Sequence, residues 1–577
     1  MPPGVCALTV QRGTEMADVV VLGAGVSGHT AALHLRRKLG KQHTVTVVSP
    51  YANWNWIPSN IWVGVGKMGK ADVVFPLAPI YAKKGIAHVQ AKAVAIRPQG
   101  DDSDPRGAVD VVSTHAESAG VESQLRYDFL INATGPQLKF QMTPGLGPDG
   151  HTVSVCTADH AIEAAASLAE CIAEMRAGAT KTLVVGMGHG TCTCEGAAFE
   201  YVFNVDHELR EAGVRDRARL IYLTNEAELG DFGVGGMTFA DMGFETSSEL
   251  WTGSLFRERN VEAILGAHVH EVSEGVVHYE TLDGERHDLE FDFAMLLPPF
   301  GGVPLAAYDA AGADITNELF APSGFMKVDA DYSGKPYEQW KASDWPHTYQ
   351  APGYDNVFAV GIAFAPPHQI SVPRKSANGT MIAPSPPRTG MPSGIMGKTV
   401  AMTIVDRIKN PGAAAHKASM ADMGAACVAS AGAGMRTGSA AAMTMMPVVP
   451  DFEKFPTGRD IAQTRGEIGH TVITVFDQRR IAQSGRAGLG VFNRHMQSHL
   501  LAERMRITDQ RLANKDCAFG NAEEVRRFRQ RAGILEGRPV LPERETINLH
   551  IGSAQREIVA VGGALGALRS RRGLEVE

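Results

Sequence analysis

Residues 18 to 50 carry the feature that most constrains the fold, because a strand run, a glycine turn and a helix follow one another directly. The first run, DVVVL, is almost continuously apolar and β-branched, which is typical of a strand buried in a parallel sheet. Gly23, Gly25 and Gly28 then form a GxGxxG pattern. Such glycines allow a tight turn, close approach of the backbone to a pyrophosphate, and close helix packing. The pattern predicts a dinucleotide-binding site rather than a turn with only a packing role.

Three later segments extend this interpretation to a flavoprotein. The second strand ends at Ser49, where an acidic residue usually binds the ribose, so we expect a weaker hydroxyl contact. The segment YDFLINATG ends in Thr134 and Gly135, and YDNVFAVGIA contains Gly361 followed by Ile362, where an aspartate is usual. Flavoproteins with two nucleotide-binding domains place similar segments against the flavin. FAD is therefore the expected cofactor.

A second strand–glycine–helix unit starts at Thr182 with TLVVGMGHGTCTCEG. Cys192, Cys194 and Glu195 follow its turn closely; they would crowd a pyrophosphate and place negative charge beside it. We interpret this unit as a structural duplicate converted into a thiol site. NAD binding at this turn is the alternative.

Composition limits the other functions. The chain has 577 residues, of which 44% are apolar and 20% charged, as in proteins with several globular domains. A net charge of −8 argues against nucleic acid as the main partner. We find no apolar run long enough to span a membrane and no signal peptide, so we expect a cytoplasmic protein with at most peripheral membrane contact. The Cys-x-Cys pair lacks a second Cys/His pair at metal spacing, and no metal site is predicted.

The predicted fold class is α/β, with two Rossmann-type, three-layer dinucleotide-binding domains and a C-terminal region over the flavin. We expect no ordered contribution from residues 1–15, which are an arm or a mis-assigned start. The predicted parts are then 16–150 (FAD domain, first part), 151–320 (second domain with the cysteines), 321–410 (return to the FAD domain), 411–471 (C-terminal region) and 472–577 (tail).

Two segments of the C-terminal part stand out. The Ala/Gly/Met-rich stretch 425–446 lacks a clear period, and we expect a loop or a short buried helix there. Residues 471–577 contain 17 Arg, one Lys and no Trp or Tyr. This composition indicates a basic accessory region or the product of a reading-frame shift.

Five motifs occur in a characteristic order along the chain. They are WIPSNIWVGVG with Asn60, SVCTADHA with Cys156, CEGAAFE with Cys194, PPRTGMPSG with Arg388, and MADMG at 420–424. Together they resemble the sulfide:quinone oxidoreductases, flavoproteins of the pyridine nucleotide-disulfide oxidoreductase superfamily. The resemblance extends from about residue 18 to about residue 469.

The resemblance implies that sulfide is oxidised to protein-bound sulfane sulfur or polysulfide, and that FAD passes the electrons to a membrane quinone. It implies peripheral attachment to the inner or cell membrane, which the atypical tail puts in question. Hydrosulfide is a soft nucleophile, and a disulfide is a natural acceptor for it. By resemblance, Cys194 bears the persulfide, and Cys156 is a flavin-proximal or sulfur-releasing thiol. Glu200 and His160 match proton-handling groups.

One departure concerns the third cysteine of the family, whose place is taken by Ser419. Cys427 is the expected replacement and partner of Cys194, and Cys192 is the other candidate. For Cys171 and Cys517 we expect plain burial.

Other functions remain open at this point. A type II NADH:quinone oxidoreductase shares the fold and needs no cysteines. A soluble flavin subunit that reduces a cytochrome, and a non-catalytic sulfur-binding flavoprotein, are further alternatives. The oligomeric state is also open, and a homo-oligomer is one of the alternatives.

Overall fold

The computed structural model describes residues 16–193, 195–241, 244–432, 439–451, 453 and 464–470. All of them belong to one compact unit within Met1–Ser498. The expected arm 1–15 and the Arg-rich tail 472–577 lie outside the described residues, as do Cys194 and Cys517.

The helices and strands of the described residues are as follows. The helices are α1 (Val26–Lys38), α2 (Asn60–Val63), α3 (Lys70–Val73), α4 (Ala78–Lys84), α5 (Ala158–Arg176), α6 (Glu195–Glu211), α7 (Ser248–Arg259), α8 (Thr316–Leu319) and α9 (Gly390–Lys409). The strands are β1 (Asp18–Leu22), β2 (Thr44–Ser49), β3 (Asn53–Asn55), β4 (Val74–Pro76), β5 (Ala87–Arg97), β6 (Gly107–Ser113), β7 (Glu122–Tyr127), β8 (Phe129–Asn132), β9 (Pro136–Leu138), β10 (Lys181–Met187), β11 (Ala218–Leu223), β12 (Met237–Asp241), β13 (Phe244–Ser247), β14 (Glu262–Ile264), β15 (Ala267–Ser273), β16 (Val276–Thr281), β17 (Arg286–Glu290), β18 (Phe293–Leu297), β19 (Phe300–Gly302), β20 (Ala306–Ala307), β21 (Val357–Ala359), β22 (Arg374–Lys375), β23 (Met381–Ile382), β24 (Ala425–Ala431), β25 (Ser439–Met446) and β26 (Thr464–His470).

The first large sheet has the order β21-β8-β1-β2-β5-β6-β7. Strands β21, β8, β1, β2 and β5 run parallel, and β5, β6 and β7 form an antiparallel meander. The register pairs Leu22 with Val48 and with Asn132, and Asn132 with Ala359. Because the carboxyl ends of parallel strands meet at one edge, this register collects the predicted cofactor segments there.

The second sheet, β14-β11-β10-β18, is parallel throughout. Helix α6 follows β10 and its glycine turn, and packs on β10 and β11. A three-stranded antiparallel sheet, β15-β16-β17, lies between β14 and β18 in the chain. The predicted α/β class with two Rossmann-type units is confirmed.

The described residues of the stretch 425–446 form two strands rather than a loop or a short helix, so that expectation was wrong for them. Strands β24 and β25 form an antiparallel hairpin within a five-stranded sheet, and β24 packs along α6. Asn204 on α6 donates to the Ser430 carbonyl (2.8 Å), and a Cβ on Gly432 would lie 2.2 Å from the His207 ring. The close contact between this segment and α6 therefore requires a small residue at Gly432. Such a requirement comes from tertiary packing and cannot be recognised from the local sequence period.

Helix α9 brings the Pro-rich segment to the first sheet by packing against α1. A Cβ on Gly397 would lie 2.4 Å from the Ser27 carbonyl oxygen, so this contact requires a glycine. Among the described residues, no helix is long and apolar enough to cross a membrane.

Candidate functional site

The first glycine turn combines two glycines held tightly by the fold with one that faces open space. Gly23 has φ +103°, and a Cβ there would lie 2.1 Å from the Ala133 carbonyl oxygen. A Cβ on Gly28 would lie 2.1 Å from the Gly23 carbonyl oxygen. By contrast, a Cβ on Gly25 would meet nothing within 4 Å. Gly25 is also the N-cap of α1 and provides no side-chain cap, so the helix N-terminus can receive an anion.

The sheet edge brings the other predicted cofactor residues to the same place. Gly135 (φ +74°) also faces open space, and the Thr134 hydroxyl donates to Asn132 Oδ1 at 2.8 Å. The buried Ser49 hydroxyl accepts from the Tyr51 N–H at 3.2 Å, within a local turn. Half-buried Ile362 directly follows Gly361, whose Cβ would lie 2.2 Å from the Ser27 hydroxyl.

A cavity faces this edge on the side of α9. Its lining includes Gly361, Phe364, Pro387, Arg388, Thr389 and Met420. The Arg388 guanidinium donates to the Phe364 carbonyl (3.2 Å) and stacks on the rings of Phe325 and Phe364. Thr389 is the N-cap of α9, yet its buried hydroxyl has no hydrogen-bond partner among the described residues. A buried polar group without a partner at a helix N-terminus indicates a ligand that accepts or donates there.

These observations fit a dinucleotide whose pyrophosphate lies at the N-terminus of α1. The open spaces at Gly25 and Gly135 provide room for a pyrophosphate on α1, and the Arg388–Thr389 cavity provides a second helix N-terminus. Asn60 does not line this cavity. Its buried amide donates to Asn55 Oδ1 (3.1 Å) and to the Val155 carbonyl (3.2 Å), so it fixes the segment that carries Cys156.

Two of the thiols near the second glycine turn are described and free. Burial raises the pKa of the half-buried Cys156 thiol to about 11, although Ser154 opposes this shift. Cys192 is fully buried, and its Sγ donates to the Leu297 carbonyl at 3.1 Å. Its pKa lies well above the ordinary value because of burial, with a further contribution from Glu195. Since burial disfavours thiolates here, the uncharged disulfide or thiol is the favoured state.

The second glycine turn is covered by the chain itself. Ala383 N–H donates to Gly190 O (2.9 Å), and Ser385 N–H donates to Cys192 O (2.8 Å). A Cβ on Gly190 would lie 2.5 Å from the Met381 carbonyl oxygen. The Thr193 hydroxyl donates to the Pro386 carbonyl at 2.9 Å. Residues 381–387, the covering segment, therefore occupy the place where a dinucleotide would approach this turn.

Glu200 and His160 lie in different surroundings. The Glu200 carboxyl accepts from Ser430 N–H (3.0 Å) and from the Ser430 hydroxyl, which joins α6 to β24. Burial raises its pKa to about 7, and the Ser430 bonds oppose the shift. His160 lies in the first turn of α5, with its ring edge-on to Phe140 and its Nδ1 unpartnered within the described structure.

Glu200→Gln is expected to remove a pH dependence of stability. Well below pH 4.5 the carboxyl is protonated in both states. As the pH rises from 4.5 to about 7, the unfolded chain ionises first, which favours unfolding. Relative to the Gln variant, the wild type should lose up to roughly 3 kcal/mol between pH 4 and 8. Chemical unfolding at both pH values measures this difference. Glu211→Gln, at the exposed end of the same helix, is the control; identical pH profiles for Glu200→Gln and wild type would contradict the prediction.

Sequence reasoning missed two features. The orphan hydroxyl of Thr389 depends on the α9 cap and gives no signal beyond the Thr-Gly pair. Glu195, noted only as an obstacle to pyrophosphate binding, is buried beside Glu226 and Asp231. Cys194 lies outside the described residues, and for Cys427 only the backbone register is described, pairing it with Met443.

Comparison with known proteins places these features in context. Residues 17–227 match the family described as pyridine nucleotide-disulphide oxidoreductase. The chain is 29% identical over 392 residues to a protein named sulfide-quinone reductase from Aquifex aeolicus (strain VF5), covering 68% of this chain and 77% of the relative. The crystal structure of the sulfide:quinone oxidoreductase from Aquifex aeolicus superimposes with a TM-score of 0.60 at 25% identity, over 81% of this chain and 90% of that one.

Proposed function

Since this flavin-dependent oxidoreductase is a relative of the sulfide-quinone reductases, we propose that it oxidises sulfide to protein-bound sulfane sulfur and passes the electrons through FAD to a membrane quinone. The observation that carries the proposal is the covered second glycine turn. The covering segment closes that turn to a nicotinamide dinucleotide while Cys156 and Cys192 remain beside it. This favours a sulfur substrate over NADH as the electron donor.

The residues that would hold FAD are those with open space or unused hydrogen-bonding capacity. Gly25 and the α1 N-terminus would receive the pyrophosphate, with Ser49 near the ribose and Gly135 and Gly361 against the cofactor. The Thr389 hydroxyl and the α9 N-terminus would receive the polar end of the flavin ring. When bound, FAD accepts two electrons from the sulfur site and delivers them to the acceptor.

The sulfur chemistry proceeds at a protein disulfide. Hydrosulfide attacks one sulfur of the disulfide, an S–S bond forms and the original S–S bond breaks, which leaves a persulfide on one cysteine and a thiolate on the other. Oxidation of HS⁻ to sulfane sulfur releases one proton and two electrons in total. The raised pKa values of Cys156 and Cys192 mean that a thiolate is costly in this region, so protons must be supplied or removed close by.

The proposed disulfide joins Cys194 to Cys427. Ser430 N–H bonds Glu200, and Gly432 N–H bonds Asn204 Oδ1 at 3.1 Å, so β24 runs alongside α6 in the same direction. Position 427 precedes Ser430 by three strand residues, a length of about 10 Å. The first residue of α6 precedes Glu200 by five helix residues, a length of about 7.5 Å. Strand position 427 is therefore level with the beginning of α6. The agreement between the two lengths concerns backbone positions, because successive side chains of a strand alternate between its two faces.

Cys192 is the alternative partner, and peptide mapping distinguishes the two. Digestion of the oxidised protein under non-reducing conditions should give a peptide that links residue 194 to residue 427. A link from Cys194 to Cys192 would replace this assignment without changing the overall reaction.

Anaerobic titration of the FAD-loaded, full-length protein tests the function. Sulfide is expected to bleach the flavin absorbance, and a short-chain quinone should restore it, whereas an equal concentration of NADH should bleach it at least about a hundredfold more slowly. The physical reason is that the covering segment blocks the second glycine turn. Bleaching by NADH and not by sulfide would refute the proposal and favour a type II NADH dehydrogenase. Trapping of persulfide without bleaching would favour a non-catalytic sulfur-binding protein.

A further inference from the structure

Glu195 is a buried carboxyl group without a hydrogen-bond partner among the described residues. It is the first residue of α6, and its side chain is packed against the turn at residues 231–236, where a Cβ on Gly233 would lie 3.5 Å from Oε2. The residue is 1% exposed, and neither Oε1 nor Oε2 has a partner within the described structure. A buried carboxylate in this condition carries the full cost of desolvation, whereas a neutral carboxylic acid does not.

Two neighbouring carboxyl groups differ from it because their oxygens are satisfied. Glu226, also 1% exposed, accepts from Phe232 N–H (2.9 Å), from the Thr224 hydroxyl (2.9 Å) and from the Tyr222 hydroxyl (3.3 Å). Asp231 accepts from the N–H groups of Gly233 and Gly235 and from the Ser371 hydroxyl. Burial raises the pKa of Glu226 to about 7 and also raises that of Asp231, but these hydrogen bonds oppose the shift because they favour the charged form. Within this trio, Glu195 is therefore the group on which a proton is most stable.

The charges around Glu195 also favour the protonated form of its carboxyl group. Burial and the carboxyl groups of Glu226 and Asp231 all raise its pKa well above the ordinary value, and only its own backbone N–H opposes this. From β11, Tyr222 faces the group, and from the glycine turn Cys192 does so. Arg388, which continues the covering segment, stacks on Phe325 and Phe364. No described group of three or more metal-ligating side chains here could hold a metal ion, so the favoured occupant is a proton.

We propose that Glu195 is a proton-holding residue whose neutral form permits a second anion, hydrosulfide or a thiolate, at the adjoining cysteine site. Cys192 is fully buried three residues before Glu195 at the same turn, and charge on Glu195 contributes to the raised pKa of its thiol. Linkage is reciprocal, so a thiolate at this site strengthens proton binding at Glu195 to the same extent. Glu195 acts through the thiols and is a positioning residue. Its role in sulfide oxidation rests on the proposed function, but its protonation does not.

Infrared difference spectroscopy on the full-length, FAD-loaded protein tests the protonation without sulfide. At pH 7, subtracting the spectrum of Glu195→Gln from that of the wild type should reveal the C=O stretch of a protonated carboxylic acid. The control Glu211→Gln should instead reveal carboxylate bands, because Glu211 is exposed. Carboxylate bands for Glu195 would overturn the inference, whatever the protein does with sulfide.

The pH profile of flavin reduction by sulfide tests the role. One pH unit above the midpoint at which the acid band is lost, the wild-type rate should be about tenfold below that of Glu195→Gln, because about one molecule in ten retains the proton. Superimposable profiles would overturn the role. If sulfide reduces neither protein, the proposed function fails and the infrared result still stands.

Titration of the carboxylic acid band in the wild type and in Glu226→Gln provides a second test, which does not depend on the folding of Glu195→Gln. Removing the Glu226 charge should shift the midpoint of the Glu195 acid band to lower pH, since that charge helps to retain the proton. An unmoved midpoint would overturn the proposed carboxyl coupling.

Discussion

Cys194→Ser is expected to lower the rate of flavin reduction by sulfide by about a thousandfold or more, because serine can neither form the disulfide nor carry the persulfide. Flavin content should remain at the wild-type level, since the cofactor edge is built from β1, β2, β8 and β21, which belong to the other sheet. Stopped-flow absorbance under anaerobic conditions measures the rate. Mass spectrometry of alkylated, sulfide-treated protein locates the persulfide.

Cys171→Ser is the matched control for this experiment. Cys171 is buried on α5, and its Sγ lies 3.9 Å from the Asp292 carbonyl, a contact that serine can reproduce. Its reduction rate should stay within about twofold of the wild type. If Cys194→Ser and Cys171→Ser react equally fast, the persulfide is not on Cys194, and Cys156 or Cys192 becomes the first candidate.

Gly23→Ala should lower the stability of the fold, whereas Gly25→Ala should lower the affinity for flavin and leave stability almost unchanged. At Gly23, a Cβ would lie 2.1 Å from the Ala133 carbonyl oxygen and φ is +103°, so alanine should destabilise the fold by at least about 3 kcal/mol. At Gly25 the space is open and φ is −85°, so the free energy of unfolding without flavin should change by no more than about 1 kcal/mol.

The flavin affinity of Gly25→Ala should nevertheless fall about tenfold or more, because the added methyl group occupies the space that the pyrophosphate needs. Chemical unfolding of the flavin-free proteins and fluorescence titration with FAD separate the two effects. Gly28→Ala is a further control; its Cβ would lie 2.1 Å from the Gly23 carbonyl oxygen, so it should behave like Gly23→Ala. Undiminished FAD affinity in Gly25→Ala would mean that the cofactor does not approach this glycine.

Much of the fold was predictable because it rests on local patterns. The β-branched run at 18–22, the glycines at 23, 25 and 28, and the later strands that end near 135 and 361 each identify an element by residues close in the chain. Parallel sheets then leave few topologies, so these segments meet at one edge. The cofactor side of the site therefore follows from local sequence together with a general rule of sheet architecture.

The hairpin at 425–446 shows where this reasoning fails. Its alanines and methionines favour helix by local propensity, yet the segment forms strands that contact α6 through Ser430 and Gly432. The same contact determines the surroundings of Glu200, whose raised pKa arises from burial. The strand conformation of this stretch and the raised pKa of Glu200 therefore both depend on residues that are distant in the sequence.

For this protein, the sequence alone determined the fold class, the first glycine turn and the cysteine-containing motifs, because periodicity, turn chemistry and motif spacing are properties of neighbouring residues. The tertiary structure decided that residues 381–387 cover the second glycine turn, and that Glu195 lies buried beside Glu226 and Asp231. It also left the Thr389 hydroxyl without a hydrogen-bond partner within the part of the chain that the structure describes. The bonds that hold the covering segment on the second glycine turn join residues 193 apart in the chain. Burial and electrostatic coupling depend on which distant groups come together, and only the folded chain brings them together.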